Sequence, residues 1–115
     1  MNAPRAAARE FLLSFWKIHI LHHAAEQPLH GQWMIAELRR HGYDISPGTL
    51  YPILSRMESH GWLRRVGPLS RSNPKARKSY RITPAGQEIL AFLRTQVEEL
   101  HEEVRDSSHS HASSR

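Results

Sequence analysis

SPGTLYPILSRMESHGWLRR, running from Ser46 to Arg65, is a helix signal that leads straight into a strand. Ser46 is of a type that caps helix N-termini, and Pro47 suits the first helical position, which has no intrahelical N–H bond to lose. Behind them Leu50, Ile53, Leu54 and Met57 fall at i, i+3, i+4 and i+7, one apolar stripe able to face a core. The other face carries Thr49, Tyr51, Ser55 and Arg56. Hydroxyls, an aromatic ring and a guanidinium are the groups that contact phosphates and base edges when a helix lies in the DNA major groove. Gly61 is a C-terminal stop, after which Trp62, Leu63 and Val66, interleaved with Arg64 and Arg65, read as a strand. Pro52 sits inside the helix and removes one backbone hydrogen bond.

On the N-terminal side two more helices are expected. Ala7 to Ala25 contains Phe11, Leu12, Leu13, Phe15, Trp16, Ile18, Ile20 and Leu21, which leave hardly any polar face. A chain this small rarely buries a helix all round, so part of this surface should meet a second subunit. Gln27 and Pro28 break the pattern, and Gln32 to His41 forms the next helix, with Met34, Ile35 and Leu38 inside. Gly42 ends it. The short connection GYDI then suits a helix-turn-helix.

On the C-terminal side, Trp62 to Val66 and Arg77 to Ile82 flank GPLSRSNPKA, a Gly-, Pro- and Ser-rich basic loop. Two strands around such a loop make a β-wing. Thr83 and Pro84 open a last helix expected to reach about Arg105, in which Leu90, Leu93, Val97, Leu100 and Val104 are spaced three, four, three, four. So narrow a seam wants a helical partner. The fold class is therefore α+β, mainly α: a winged helix-turn-helix with its N-terminal helix over residues 1–82, and a long C-terminal dimerisation helix over 83–105. Residues 106–115, almost wholly polar, are expected to form a disordered tail.

Sixteen Lys and Arg against eleven Asp and Glu give a formal charge of +5, and thirteen of the sixteen are Arg. The distribution says more than the sum. Between Glu58 and Glu88 there is no acid, while Arg64, Arg65, Arg71, Lys75, Arg77, Lys78 and Arg81 are all basic. A field concentrated in this way is the footprint of a nucleic-acid binder. With no cysteine, disulfides and thiolate chemistry are excluded. The apolar run from Phe11 to Leu21 is too short to span a bilayer and no cleavage pattern follows it, so no membrane partner and a cytoplasmic location are expected.

SPGTLYPILSRMESHGWL, together with RKSYRITPAGQEIL from Arg77 to Leu90, closely resembles the PadR family of bacterial winged-helix transcriptional regulators. The family pattern also has a proline where Pro52 stands. The resemblance implies a homodimeric repressor that binds double-stranded DNA at a pseudo-palindromic operator. The DNA-contact candidates are Ser46, Thr49, Tyr51 and Arg56 on the helix, with Lys75, Arg77 and Lys78 on the wing. The dimer candidates are Trp16 and the seam Leu90, Leu93, Val97, Leu100 and Val104. Relief by a small aromatic ligand is a further implication, with Trp16, Trp33 and Phe92 as candidates. There the chain departs from the family, carrying Gly31-Gln32-Trp33 in place of glycine-tyrosine-glutamate and no tryptophan in the last helix.

Two other readings compete. Among nine histidines, His19, His22 and His23 stand at i, i+3 and i+4, a spacing that suits a divalent metal such as zinc or nickel, although no acidic ligand is evident beside them. A metal-responsive regulator would use them. A protein-interaction adaptor would use the coiled seam instead of the wing. Catalysis has no support, since nucleophile-elbow, phosphate-loop and HExxH patterns are all missing, and no cofactor is implied.

Overall fold

The computed structural model describes the backbone of residues 3–67 and 78–114, with side chains over 7–67 and 78–105. The elements run α1 (Ala3–Glu26), β1 (Leu29–His30), α2 (Gly31–Arg40), α3 (Pro47–Ser59), β2 (Leu63–Val66), β3 (Ser79–Ile82) and α4 (Pro84–Ser114). β2 and β3 are the antiparallel wing strands, registered Leu63↔Ile82 through Val66↔Ser79. The order is that of a winged helix with one addition.

The addition is β1, in a stretch that reads from sequence only as a break between helices. Leu29 pairs with Tyr80 and His30 with Ser79, giving a three-stranded sheet in the order β1-β3-β2. Its two residues are too few to show an alternating pattern. Side chains reinforce the pairing, because His30 Nδ1 and Ser79 Oγ hydrogen-bond at 3.0 Å.

Both helix ends around the turn close alike. After α2, Gly42 takes φ +93°, its N–H bonds the Arg39 carbonyl, and the Tyr43 N–H reaches back to Leu38. After α3, Gly61 takes φ +81°, its N–H bonds Glu58, and the Trp62 N–H reaches Met57. These are Schellman closures, which need a left-handed residue that glycine supplies without steric cost. They aim α3 away from α2 and turn the chain into β2. Ser46 occupies the N-cap of α3 in an extended conformation, yet no side-chain cap forms. Its Oγ instead donates to Thr49 Oγ1 at 3.4 Å. Thr83 does cap α4, accepting the Gly86 N–H at 3.0 Å, and its own N–H bonds the Trp62 carbonyl.

The core collects Trp16, Ile20, Leu21 and Ala24 of α1, Met34, Ile35 and Leu38 of α2, and Leu50, Ile53, Leu54 and Met57 of α3. Leu63, Tyr80, Ile82 and Leu90 close it. The α3 stripe lies inside as its spacing predicts. At ~1.5–3 kcal/mol per buried aliphatic side chain, that stripe fixes which face of α3 is left outward. Pro52 lies on the outward face, so the Gly48 carbonyl that its missing N–H would have bonded can be hydrated, and α3 runs through unbroken.

Trp16, expected in a subunit interface or ligand pocket, is only 2% exposed and packs edge-on to Tyr43 at 5.9 Å within the same chain. The large apolar residues that α1 leaves exposed, among those described, are Phe11 and Phe15. The helical backbone of α4 continues past Arg105, where the apolar pattern stops, to Ser114. No Gly or Pro after Gly86 interrupts it.

Candidate nucleic-acid interface

The outward face of α3 presents Thr49, Tyr51, Ser55 and Arg56, and three neighbours converge on it. Gly31, at the N-terminus of α2, lies beneath the Tyr51 ring so closely that a Cβ there would sit 2.5 Å from a ring carbon. Gln32 Nε2 donates to Tyr51 Oη at 3.3 Å. Arg9 of α1 donates to Thr49 Oγ1 at 3.1 Å, bringing a guanidinium to the start of α3. Tyr51 is thus held in one direction, and a guanidinium stands at the N-terminal turn of α3, the positive end of its helix dipole. That combination suits a phosphate.

Beside this face a cavity of about 420 Å³ is lined by His30, Gly31, Gln32, Tyr51, Ser55, Lys78 and Tyr80. Lys78, just before β3, and Tyr80 within it both line this cavity, and Arg65 stands opposite Tyr80 on β2. Arg65 is tied to Glu58 of α3 at 3.2 Å. Burial pushes the Tyr80 phenol up, so it stays a neutral hydrogen-bonding group. On the other side Arg64 and Arg81 are exposed Cα partners. Like charges so placed oppose folding slightly and are relieved by an anion.

The sequence-predicted contacts Ser46, Thr49, Tyr51, Arg56 and Lys78 are all at the surface or half-buried on this side, while Lys75 and Arg77 lie outside the described residues. Arg9 and Gln32 were missed, because neither lies on α3 or the wing, where contacts were expected. Only the folding of α1 and α2 against α3 brings them in.

Residues 20–92 match the model of the transcriptional regulator PadR-like family. The chain belongs to that family. It is 49% identical over 96 residues to the transcriptional regulator Rv3488 of Mycobacterium tuberculosis, spanning 84% of this chain and 88% of that protein. Among solved structures, the PadR-like transcriptional regulator of Bacillus cereus is 26% identical with a TM-score of 0.73, covering 84% of this chain and 94% of that one. The PadR family regulator of Eggerthella lenta is 27% identical with a TM-score of 0.69, covering 92% and 96%. This PadR-like chain is accordingly a DNA-binding transcriptional regulator and not an enzyme. No helix among the described residues is long and apolar enough to cross a membrane.

The remaining candidates fall into two places. Leu90 is buried within the chain and Leu93 packs partly on its core, whereas Val97, Leu100 and Val104 are 41%, 52% and 59% exposed. The seam therefore begins in the core and runs out into solvent. Between α1 and α4 a second cavity, of about 300 Å³, is lined by Phe15, Ile18, His19, His22, Leu90, Arg94 and Val97. Neither cavity is lined by Trp16, Trp33 or Phe92. Trp33 meets His23 edge-on and Phe92 is exposed on α4.

The histidines gather where α1 meets the end of α2. His19 packs on His41 at 5.1 Å and Tyr43 at 5.7 Å, and burial followed by the neighbouring His41 and His23 lowers its pKa. Glu37 accepts two hydrogen bonds from Arg40, at 3.0 and 2.8 Å, and one from His41 at 3.1 Å. Those bonds, the Arg40 pair above all, hold its carboxyl down to about 2. His22 and His23 both face Glu26, at 3.5 and 3.4 Å. Glu26 is an acidic neighbour that a search for histidine spacing alone passes over, although it stands four residues after His22.

Proposed function

We propose that two copies of this PadR-like chain pair through α4 and α1, set their α3 helices in successive major-groove faces of a pseudo-palindromic operator, and repress transcription from it. The observation that carries this reading is the outward face of α3, where Thr49, Tyr51, Ser55 and Arg56 stand clear of the core with Arg9 and Lys78 at either edge. Side chains on α3 would read bases, while Arg9, Lys78 and the wing residues Lys75 and Arg77 would hold phosphates. Two-fold symmetry then sets half-sites roughly ten base pairs apart, or a multiple. Footprinting on the DNA upstream of the gene tests the geometry. An inverted repeat with that spacing is expected, and a protected tract without one contradicts the dimer arrangement.

Gly31 provides a second test. A methyl group at this position would displace the Tyr51 ring, which is exposed enough to swing aside. Gly31→Ala is therefore expected to weaken operator binding about tenfold, the equivalent of one lost base contact, with little change in stability. In a Tyr51→Ala background the same substitution should add almost nothing, as a double-mutant cycle by gel shift would reveal.

The α1–α4 cavity supports relief of repression by a small ligand. Its walls are aliphatic and aromatic, with His19, His22 and Arg94 as polar groups, a lining that suits a compact aromatic molecule. Such a ligand would occupy this cavity and not a Trp16–Trp33–Phe92 cluster.

A further inference from the structure

We propose that His22, His23 and Glu26 at the end of α1 form a binding site for a divalent first-row transition metal, and that Arg94 of α4 competes with that metal for His22. The three residues each offer one ligand atom, all within 4.8 Å of one another. Metal–ligand bonds of ~2.1 Å in a tetrahedral site separate ligand atoms by ~3.4 Å. The Glu26 carboxylate stands at 3.5 Å from His22 Nε2 through Oε2 and at 3.4 Å from His23 Nδ1 through Oε1. Bringing one of those oxygens and the two imidazole nitrogens to the tetrahedral spacing takes side-chain movement alone, on the last turn of one helix. Two imidazoles and a carboxylate favour zinc, nickel or cobalt over calcium or magnesium, which take oxygen ligands.

What separates this trio from an ordinary polar helix end is the support behind His23. Its Nε2 lies 3.5 Å from Glu37 Oε2, and Glu37 is itself fixed by the two-pronged bond from Arg40. A carboxylate only accepts, so the N–H of His23 can sit on Nε2 and leave the Nδ1 lone pair aimed at Glu26. A histidine that donates its far N–H to a carboxylate is the usual arrangement behind a metal ligand. The His23 side chain is 15% exposed and those of His22 and Glu26 are 42% and 57%. The site is thus anchored on its inner side and open outward, where a water can complete it.

His22 carries the consequence. Arg94 Nη2 lies 3.1 Å from His22 Nδ1, and because arginine only donates, Nδ1 must be the acceptor and the proton of the neutral ring must sit on Nε2. A metal taking Nε2 displaces that proton, and a neutral ligated imidazole carries its proton on Nδ1, facing the guanidinium. The two cannot coexist. Metal binding therefore expels Arg94 and breaks a contact between α1 and α4.

The test is a zinc titration of the full chain against a chromophoric chelator, with circular dichroism to verify folding. His23→Asn and Glu26→Gln are each expected to weaken zinc binding at least ~10-fold, and Glu37→Gln by ~10–100-fold through loss of the carboxylate that faces His23 Nε2. Arg94→Gln should bind zinc several-fold more tightly than the parent, and His60→Asn, remote on α3's end and stacked on Trp62, should match it. Parental affinity in Glu26→Gln and His23→Asn overturns the site. Unchanged or weaker binding in Arg94→Gln overturns the competition.

Discussion

A chain carrying Leu100→Asp and Val104→Asp is expected to run as a folded monomer and to bind operator DNA roughly 10²–10⁴-fold more weakly than the parent, the range by which linked sites exceed single ones. Both side chains are more than half exposed in the subunit and continue, at heptad spacing, a stripe that begins in the core at Leu90. A pair of charges there costs the subunit little, since neither residue packs on its core, but it would have to be desolvated in a helix–helix seam. Leu93 is the poorer choice, because it packs partly on the core and a charge there would disturb the subunit itself. Light scattering reads the mass and circular dichroism the fold. A double variant that remains dimeric assigns the interface elsewhere, with exposed Phe11 and Phe15 of α1 as the next surface to change.

Ile53→Ala should destabilise the protein by about 2–5 kcal/mol, the range for truncating a fully buried aliphatic side chain. Ile53 is fully buried, on the stripe that seats α3 between α2 and the sheet. Domains of this size are stable by about 5–15 kcal/mol, so one such change removes a large share of the total. Arg56→Ala, three residues on but with its side chain exposed beside the buried stripe, should leave the urea midpoint nearly unmoved, within about 0.5 kcal/mol, and weaken operator binding by about 1–3 kcal/mol per subunit. The pair separates the two faces of α3, one for folding and one for DNA. Equal effects of the two substitutions on stability would show that the faces are misassigned.

These contrasts follow what the residues could and could not disclose. The α3 helix was legible because its start, its period and its glycine stop agree, each signal coming from within a few residues. The wing strands were legible for the same reason. β1 was not, since its identity as a strand lies in the partners Tyr80 and Ser79, some fifty positions away in sequence. The seam shows a different limit. Periodicity marks Leu90 and Val104 alike as apolar, but only the packing of α4 on α1 puts Leu90 inside its own subunit and leaves Val104 in solvent. Trp16 is a case of the same kind, a large apolar residue on a helix too apolar for its pattern to say which side is inward.

The site divides along that line as well. Thr49, Tyr51 and Arg56 could be named from their position opposite the stripe, whereas Arg9 and Gln32 join them only through tertiary packing of α1 and α2. In the histidine group, His22 and His23 were evident by spacing, whereas the expectation that no acidic ligand stands beside them fails at Glu26, which the helical turn brings to both. His19, at the right spacing for a ligand, turns instead toward His41 and Tyr43. A helical period gives the side from which a residue projects, but not which neighbouring helix it meets.

The most direct measurement is a gel shift on the DNA immediately upstream of the gene, repeated from low to high salt with an excess of random competitor. A PadR-like repressor docked through α3 should give a competitor-resistant complex whose affinity falls steeply with salt, on a slope that becomes shallower when Lys78 and Arg9 are replaced by Ala. Equal affinity for upstream and random DNA across the series would contradict sequence reading by α3.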